Sequence, residues 1–149
     1  GALSQSQQDL APILAMIARD FEDHAPGRIV LSLPEREANS FLDPDAFAIL
    51  VRNLIENALK HGSRSEPVEI NLNDNGVLRI SNGGERVPPE QLALLRNRFA
   101  RARTEAAGSG LGLAIADAIA KGAGMTLHLR SPATGRQDGF EAELNLACI

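Results

Sequence analysis

A chain of 149 residues has room for one domain with its own core and needs no covalent staple to hold it. Its formal charge of −4 argues against a nucleic-acid partner, and five Phe with no Trp or Tyr offer almost nothing on which single-stranded bases could stack. The lone cysteine, Cys148, gives neither a disulfide framework nor a cysteine-rich metal site, and it fits a reducing compartment.

In chain order, Leu10, Ile13, Leu14, Ile17 and Phe21 recur at helical spacing, so a helix is expected from Ser6 to Asp23, stopped by Pro26-Gly27. The run 28-RIVLSL-33 alternates as a strand. Asp43-Pro44 opens a second helix, with Asp as cap and Pro in the first turn; Gly62 ends it. Two strands follow, 67-PVEINLN-73 and 76-GVLRISN-82, joined through Asp74-Asn75-Gly76 as a hairpin. Pro88-Pro89-Glu90 starts a short helix to about Arg98, and the small residues from Ala100 to Ser109 read as a mobile loop. Leu111 to Lys121 is helical, and 125-MTLHLRS-131 and 139-GFEAELNL-146 alternate as closing strands. About four helices and five strands in this order predict an α/β two-layer sandwich: a mixed sheet with helices on one face, formed by a single domain over 1–149. No apolar run reaches the length of a membrane span and no signal peptide is visible. Gly1 in place of an initiating Met leads us to expect a segment of a longer protein.

Chemistry concentrates in three stretches. In 53-NLIENALKHG-62, Asn57 lies about 40° round the helix from Asn53 and Lys60 about 20° the other way, so the three share a face. Asn is a poor helix former, and an ordinary exposed face would carry Glu and Lys. Neutral amide oxygens suit Mg²⁺, which keeps its waters and leans on phosphate oxygens, and a lysine one turn on suits the phosphates. His61, at the helix end, is equally at home as a structural residue. The stretch 80-ISNGGERV-87 reads first as a turn, since Asn-Gly and Gly-Gly supply positive φ. In 108-GSGLGLAIADAIA-120, Gly108, Gly110 and Gly112 precede an apolar helix, a loop that offers backbone N–H groups to an anion. The spacing is neither a dinucleotide fingerprint nor a Walker A loop.

Taken together, these stretches resemble the ATP-binding catalytic domain of bacterial sensor histidine kinases, in the superfamily that also holds gyrase, the heat-shock chaperone ATPases and the mismatch-repair ATPases. The resemblance runs over nearly the whole chain, most clearly Asp43 to Leu146. The segment 53-NLIENALKHG-62 looks like the N box, 80-ISNGGERV-87 the G1 box, 95-LRNRFAR-101 the F box and 108-GSGLGL-113 the G2 box. The segments 119-IAKGAGM-125 and 139-GFEAEL-144 also look like the family's closing elements, nearest the quorum-sensing regulator type of kinase.

The resemblance implies that Asn57 coordinates Mg²⁺ with Asn53 assisting, and that Lys60 and His61 contact the phosphates of ATP. Asn82 would sit in the adenine pocket, with Gly84 letting the backbone approach the base and Val87 beside it. Phe99 would pack under a lid of about 100–110, from which Arg101 or Arg103 reaches the γ-phosphate. Gly108, Ser109, Gly110 and Gly112 would wrap the phosphates over Leu111 and Leu113. The family's G1 box usually reads Asp-x-Gly-x-Gly; here Asn82 takes the Asp position and Arg86 the second glycine. An Asn oxygen still accepts from the adenine amino group, without the charge, so selectivity is expected to hold while affinity falls.

The hydrolysing branch of the superfamily carries a Glu at the position of Asn53. An amide has no useful pKa for activating water, so phosphoryl transfer is favoured over hydrolysis. Glu56 points roughly 60° away from Asn53 and receives no role. The acceptor would be a histidine on a separate dimerisation domain, because His24, His61 and His128 lack the family's His-Glu-Leu-Arg-type surroundings. A response regulator would follow indirectly, and the parent would be an inner-membrane receptor with this part cytoplasmic, touching neither membrane nor nucleic acid. Three alternatives stand beside this reading. One is a degenerate nucleotide-binding module that only docks a partner. Another is a serine-kinase or anti-sigma domain, which should carry an acidic base where Asn53 stands. The third is a plain domain whose Asn and Gly are turn chemistry.

Overall fold

The structure is a computed structural model that describes residues 2–101 and 111–147, with 96–101 and 111 described by their backbone alone. Its elements run β1 (Leu3–Asp9), α1 (Ala11–His24), β2 (Ile29–Ser32), β3 (Asn39–Leu42), α2 (Pro44–His61), β4 (Val68–Leu72), β5 (Val77–Asn82), α3 (Pro89–Arg101), α4 (Leu111–Gly122), β6 (His128–Arg130) and β7 (Phe140–Asn145). The main sheet has five strands in the order β2-β4-β5-β7-β6; β2 pairs parallel to β4 and every other pair is antiparallel. The chain is therefore the mixed-sheet sandwich that the element order predicts.

Alternation decides the two faces of the sheet. Val68, Ile70 and Leu72 of β4, Leu78 and Ile80 of β5, and Ala142 and Leu144 of β7 are buried in the common core. That core is shared with Leu14 and Ile17 of α1 and with the stripe Phe47, Leu50, Val51, Leu54, Ile55 and Ala58 of α2. The opposite face is polar. There Arg79 Nε donates to Glu143 Oε2 at 2.7 Å, and Arg130 Nη1 donates to Glu141 Oε2 at 2.5 Å and to Glu143 Oε2 at 3.0 Å. Glu141 is only 3% exposed, yet the Thr134 hydroxyl also donates to it, so its charge is buried with partners. The hydrogen bonds from Arg130 and Arg79 hold the Glu143 carboxyl down at about 2.

The sequence reading needs three corrections here. The first helix starts at Ala11 rather than Ser6, because residues 3–9 form a strand. That strand pairs antiparallel with β3, and the resulting two-stranded sheet is not foreseen in the sequence. Asp9 makes the break: its Oδ1 accepts from Ala11 N at 3.1 Å and from Ala38 N at 2.9 Å, tying the helix start to the β3 approach. The third helix continues to Arg101, past the expected end at Arg98. The rest of the expected lid, 102–110, lies outside the described residues.

Candidate functional site

The site grows from the end of α2. Asp43 caps its start, with Oδ2 accepting from Ala46 N at 3.0 Å, and Pro44 follows in the first turn. The buried stripe fixes the helix roll, which leaves Asn53 and Asn57 half-buried at the edge of the core. At the far end Gly62 N donates to Ala58 O at 2.8 Å, and the chain turns away against Asn82.

Asn82 closes β5 opposite Phe140, the first residue of β7. It is 7% exposed, its Nδ2 donates to Gly83 O at 2.8 Å, and its Oδ1 is buried without a hydrogen-bond partner among the described residues. An orphaned buried acceptor is costly in a native fold and asks for a donor from elsewhere. The Gly83 carbonyl accepts from Ser63 N as well, at 3.2 Å, so two donors fix it. Gly84 follows with φ +109°, a conformation open to glycine and strained for other residues, and its carbonyl accepts from Gly139 N at 2.9 Å.

These residues wall a cleft of about 700 Å³, a volume usual for small-molecule and cofactor sites. Asn57 and His61 line it from α2, Asn82 and Val87 from the β5 turn, and Leu113 from α4. Phe140 and Leu95 add apolar walls, and Glu85 and Arg86 stand on its rim. The His61 pKa is lowered, first by burial and then by the charge of Lys60 beside it, so the imidazole that meets the cleft is held toward its neutral form.

The cleft brings together five of the residues expected to bind the nucleotide: Asn57, His61, Asn82, Val87 and Leu113. Gly84 is not among the lining residues; a Cβ added to it would stand 3.1 Å from Ser63 N. Lys60 is exposed on α2 and is not among the lining residues. Asn53 shares Lys60's absence from the wall: its Nδ2 donates to Ile49 O at 2.8 Å, and its Oδ1 lies where a Cβ on Gly112 would come within 3.1 Å of it. Asn53 thus sits in the α2–α4 contact, and Gly112 lets α4 approach there. Phe99, Arg101 and Leu111 lie on helical backbone. Arg103, Gly108, Ser109 and Gly110 lie outside the described residues. Sequence reasoning missed Phe140, whose place on the wall follows from pairing β7 with β5, and Glu66, Ser131 and Arg136, which surround the Asn82 turn from distant loops.

The profile of the histidine kinase-, DNA gyrase B-, and HSP90-like ATPases matches residues 42–147, which includes every wall of the cleft. The chain belongs to this ATPase family. Sensor protein QseC of Escherichia coli K12 is 39% identical over 104 residues, covering 68% of this chain. The chain spans only 22% of that relative's length. The ATP binding domain of PrrB from Mycobacterium tuberculosis is 25% identical with a TM-score of 0.71, over 97% of each chain. The histidine kinase domain of the E. coli osmosensor EnvZ shares the fold, with a TM-score of 0.70 at 20% identity over 100% of this chain and 92% of that one.

A cleft in an ATPase-family domain is a candidate nucleotide site, and its lining has the chemistry that a purine base would need. Val87, Leu95, Leu113 and Phe140 offer apolar surface to a flat ring, and an exocyclic amino group would satisfy the Asn82 oxygen. Among the described residues no group of three or more His, Cys, Asp or Glu could hold a metal ion. A cation here would be bound chiefly through phosphate oxygens, and the Asn57 amide on the cleft wall could serve it as a neutral ligand.

Proposed function

We propose that the cleft binds ATP with Mg²⁺ and presents its γ-phosphate to a histidine on a separate dimerisation domain of a longer sensor kinase. The observation that carries this reading is the buried Asn82 Oδ1, without a partner among the described residues, on the wall of a cleft of nucleotide size. Adenine carries an amino N–H where that oxygen needs a donor, and guanine carries an acceptor there. Asn57 would hold Mg²⁺, and His61 would meet the phosphates at the cleft's polar end. Lys60, Asn53 and the loop 108-GSGLGL-113 would complete the phosphate end, with Arg101 or Arg103 reaching over from α3 and beyond.

In the transfer, an imidazole nitrogen of the acceptor would attack the γ-phosphorus as the bond to the β-γ bridging oxygen breaks and ADP leaves; a cation held at Asn57 would supply charge neutralisation. Little covalent work falls to the protein, so positioning and charge neutralisation carry the reaction. Asn53 can serve as no general base toward water, which favours transfer over hydrolysis. The response regulator would receive the phosphoryl group in turn. Among the described residues no helix is long and apolar enough to cross a membrane. QseC is named a sensor protein and has a solved cytoplasmic segment, which supports placing this domain on the cytoplasmic side of a membrane receptor.

Calorimetric titration with a non-hydrolysable ATP analogue, with and without Mg²⁺, tests the reading beside Asn57→Ala. Mg²⁺-dependent binding by the wild-type chain, lost in the variant, is expected. Absence of binding at millimolar analogue would refute it. Arg86 on the rim, where the family carries glycine, favours a second reading as a module that binds nucleotide without transfer. Phosphorylation of an added dimerisation domain separates the two.

A further inference from the structure

The Asn82–Gly84 turn is gripped from two sides by connections that lie, but for Gly62 and Gly139 at their ends, outside the family motifs. On one side is the α2–β4 connection, residues 62–67; on the other is the β6–β7 connection, residues 131–139. The first gives the Ser63 N–H to the Gly83 carbonyl at 3.2 Å, and the second gives the Gly139 N–H to the Gly84 carbonyl at 2.9 Å. Ser131 accepts from Val87 N at 2.8 Å and donates to the Gly139 carbonyl, so it ties the cleft wall to the same loop. One ion pair then joins the two connections directly. Arg136 Nη2 lies 3.0 Å from Glu66 Oε1 and 3.2 Å from Oε2, while its Nε is held by Asp138 Oδ1 at 2.8 Å.

This pair passes across the face of Gly83. A Cβ on Gly83 would overlap Glu66 Oε2 and stand 3.0 Å from Arg136 Nη2. Only a bare Cα lets the pair close there. Gly83 is also the residue whose carbonyl holds the Asn82 amide, through Nδ2 at 2.8 Å. That bond decides which amide atom faces the cleft. Any shift of Gly83 is therefore passed to the orientation of the Asn82 oxygen.

We propose that Glu66 and Arg136 form a clasp over Gly83 that positions the Asn82 amide for the base of the bound nucleotide. The inference rests on the nucleotide reading above and deepens it. The two are positioning residues: they act through Gly83 and are not among the residues that line the cleft. An ordinary surface ion pair would affect stability slightly and nucleotide recognition not at all.

The test is titration of the whole chain with non-hydrolysable ATP and GTP analogues, beside thermal unfolding without ligand, for wild type, Glu66→Gln, Arg136→Gln, Arg136→Lys and the Glu66→Gln/Arg136→Gln double variant. The expected result is ATP-analogue binding weakened roughly two- to fivefold in each Gln variant. The preference for ATP over GTP should narrow while the unfolding midpoint stays within about 2 °C. Arg136→Lys, which keeps the charge, should bind as wild type does, and the double variant should bind no more weakly than either single one. Unchanged constants in both Gln variants, or losses that merely track the midpoint, overturn the clasp while leaving the nucleotide reading intact. No binding by the wild-type chain overturns the nucleotide reading itself, and the clasp with it.

Discussion

Gly62 sets its bare Cα against Asn82: a Cβ there would stand 2.7 Å from the Asn82 Cβ and 2.6 Å from the Ala58 carbonyl oxygen. Both neighbours are fixed, one by the last turn of α2 and the other by β5, so neither yields cheaply. Gly62→Ala should cost about 1–3 kcal/mol of folding stability, the usual penalty for overpacking. It should also weaken nucleotide binding, because the easiest relief moves Asn82. Urea unfolding and analogue titration check the two effects, and a variant as stable as wild type would show that the contact is slack.

Asn82→Asp separates stability from affinity. In the ligand-free protein a carboxylate would meet the Gly83 carbonyl where Nδ2 now donates at 2.8 Å, at a position only 7% exposed. Stability should fall by about 1–3 kcal/mol, the cost of leaving a buried polar group unsatisfied. Binding of an adenine nucleotide should tighten, because its amino group then meets a charged acceptor. The midpoint without ligand should drop and its rise on adding ATP should grow. A smaller rise than in wild type would contradict the proposed base contact.

The proposed contact of His61 with the phosphates would link nucleotide binding to pH. Burial and Lys60 lower its pKa in the free protein. Phosphates arriving at that end of the cleft would favour the imidazolium and raise it again. Binding should therefore take up protons and tighten as pH falls through the bound-state pKa. Calorimetry in two buffers of different ionisation enthalpy measures the uptake. The outcome to look for is a difference in heats that shrinks in His61→Gln; equal uptake in both proteins would remove His61 from the phosphate end.

Glu143 gives a stability effect of opposite pH sense. Its folded-state pKa of about 2 lies below the ordinary 4.5, with the Arg130 and Arg79 hydrogen bonds as the cause. The stabilisation is complete above pH 4.5 and is lost as pH falls through about 2. Glu143→Gln should unfold at a lower temperature than wild type at pH 7, and the gap should close across that acid window. A gap independent of pH would mean that the carboxylate's charge contributes nothing.

Local signals in the sequence carried much of the fold and part of the cleft. The helical stripe from Phe47 to Ala58 and the Asn-Gly-Gly after β5 are short-range patterns, and both lie where the period and the turn chemistry put them. An ideal helical wheel places Asn53 beside Asn57, but it cannot know that α4 lies against that edge with Gly112 opened for it. Strand β1 was hidden for another reason. The run 3-LSQSQQD-9 has no apolar alternation, and it is a strand because β3, some thirty residues on, supplies the partner. Ser131, Arg136 and Phe140 were equally hidden, since only the β5–β7 pairing brings them to Asn82.

The Asn82 turn is held by a helix end before it in sequence and by a loop and strand near the chain's close. No single segment contains the proposed base pocket, so no partly folded intermediate lacking β7 would possess it. A nucleotide bound there becomes a ligand of the completed tertiary structure alone, and by mass action its binding free energy adds to global stability rather than to one motif. Deleting the last strand would abolish binding even with the asparagine and glycine motifs intact. Nucleotide occupancy would then report that the chain has finished folding.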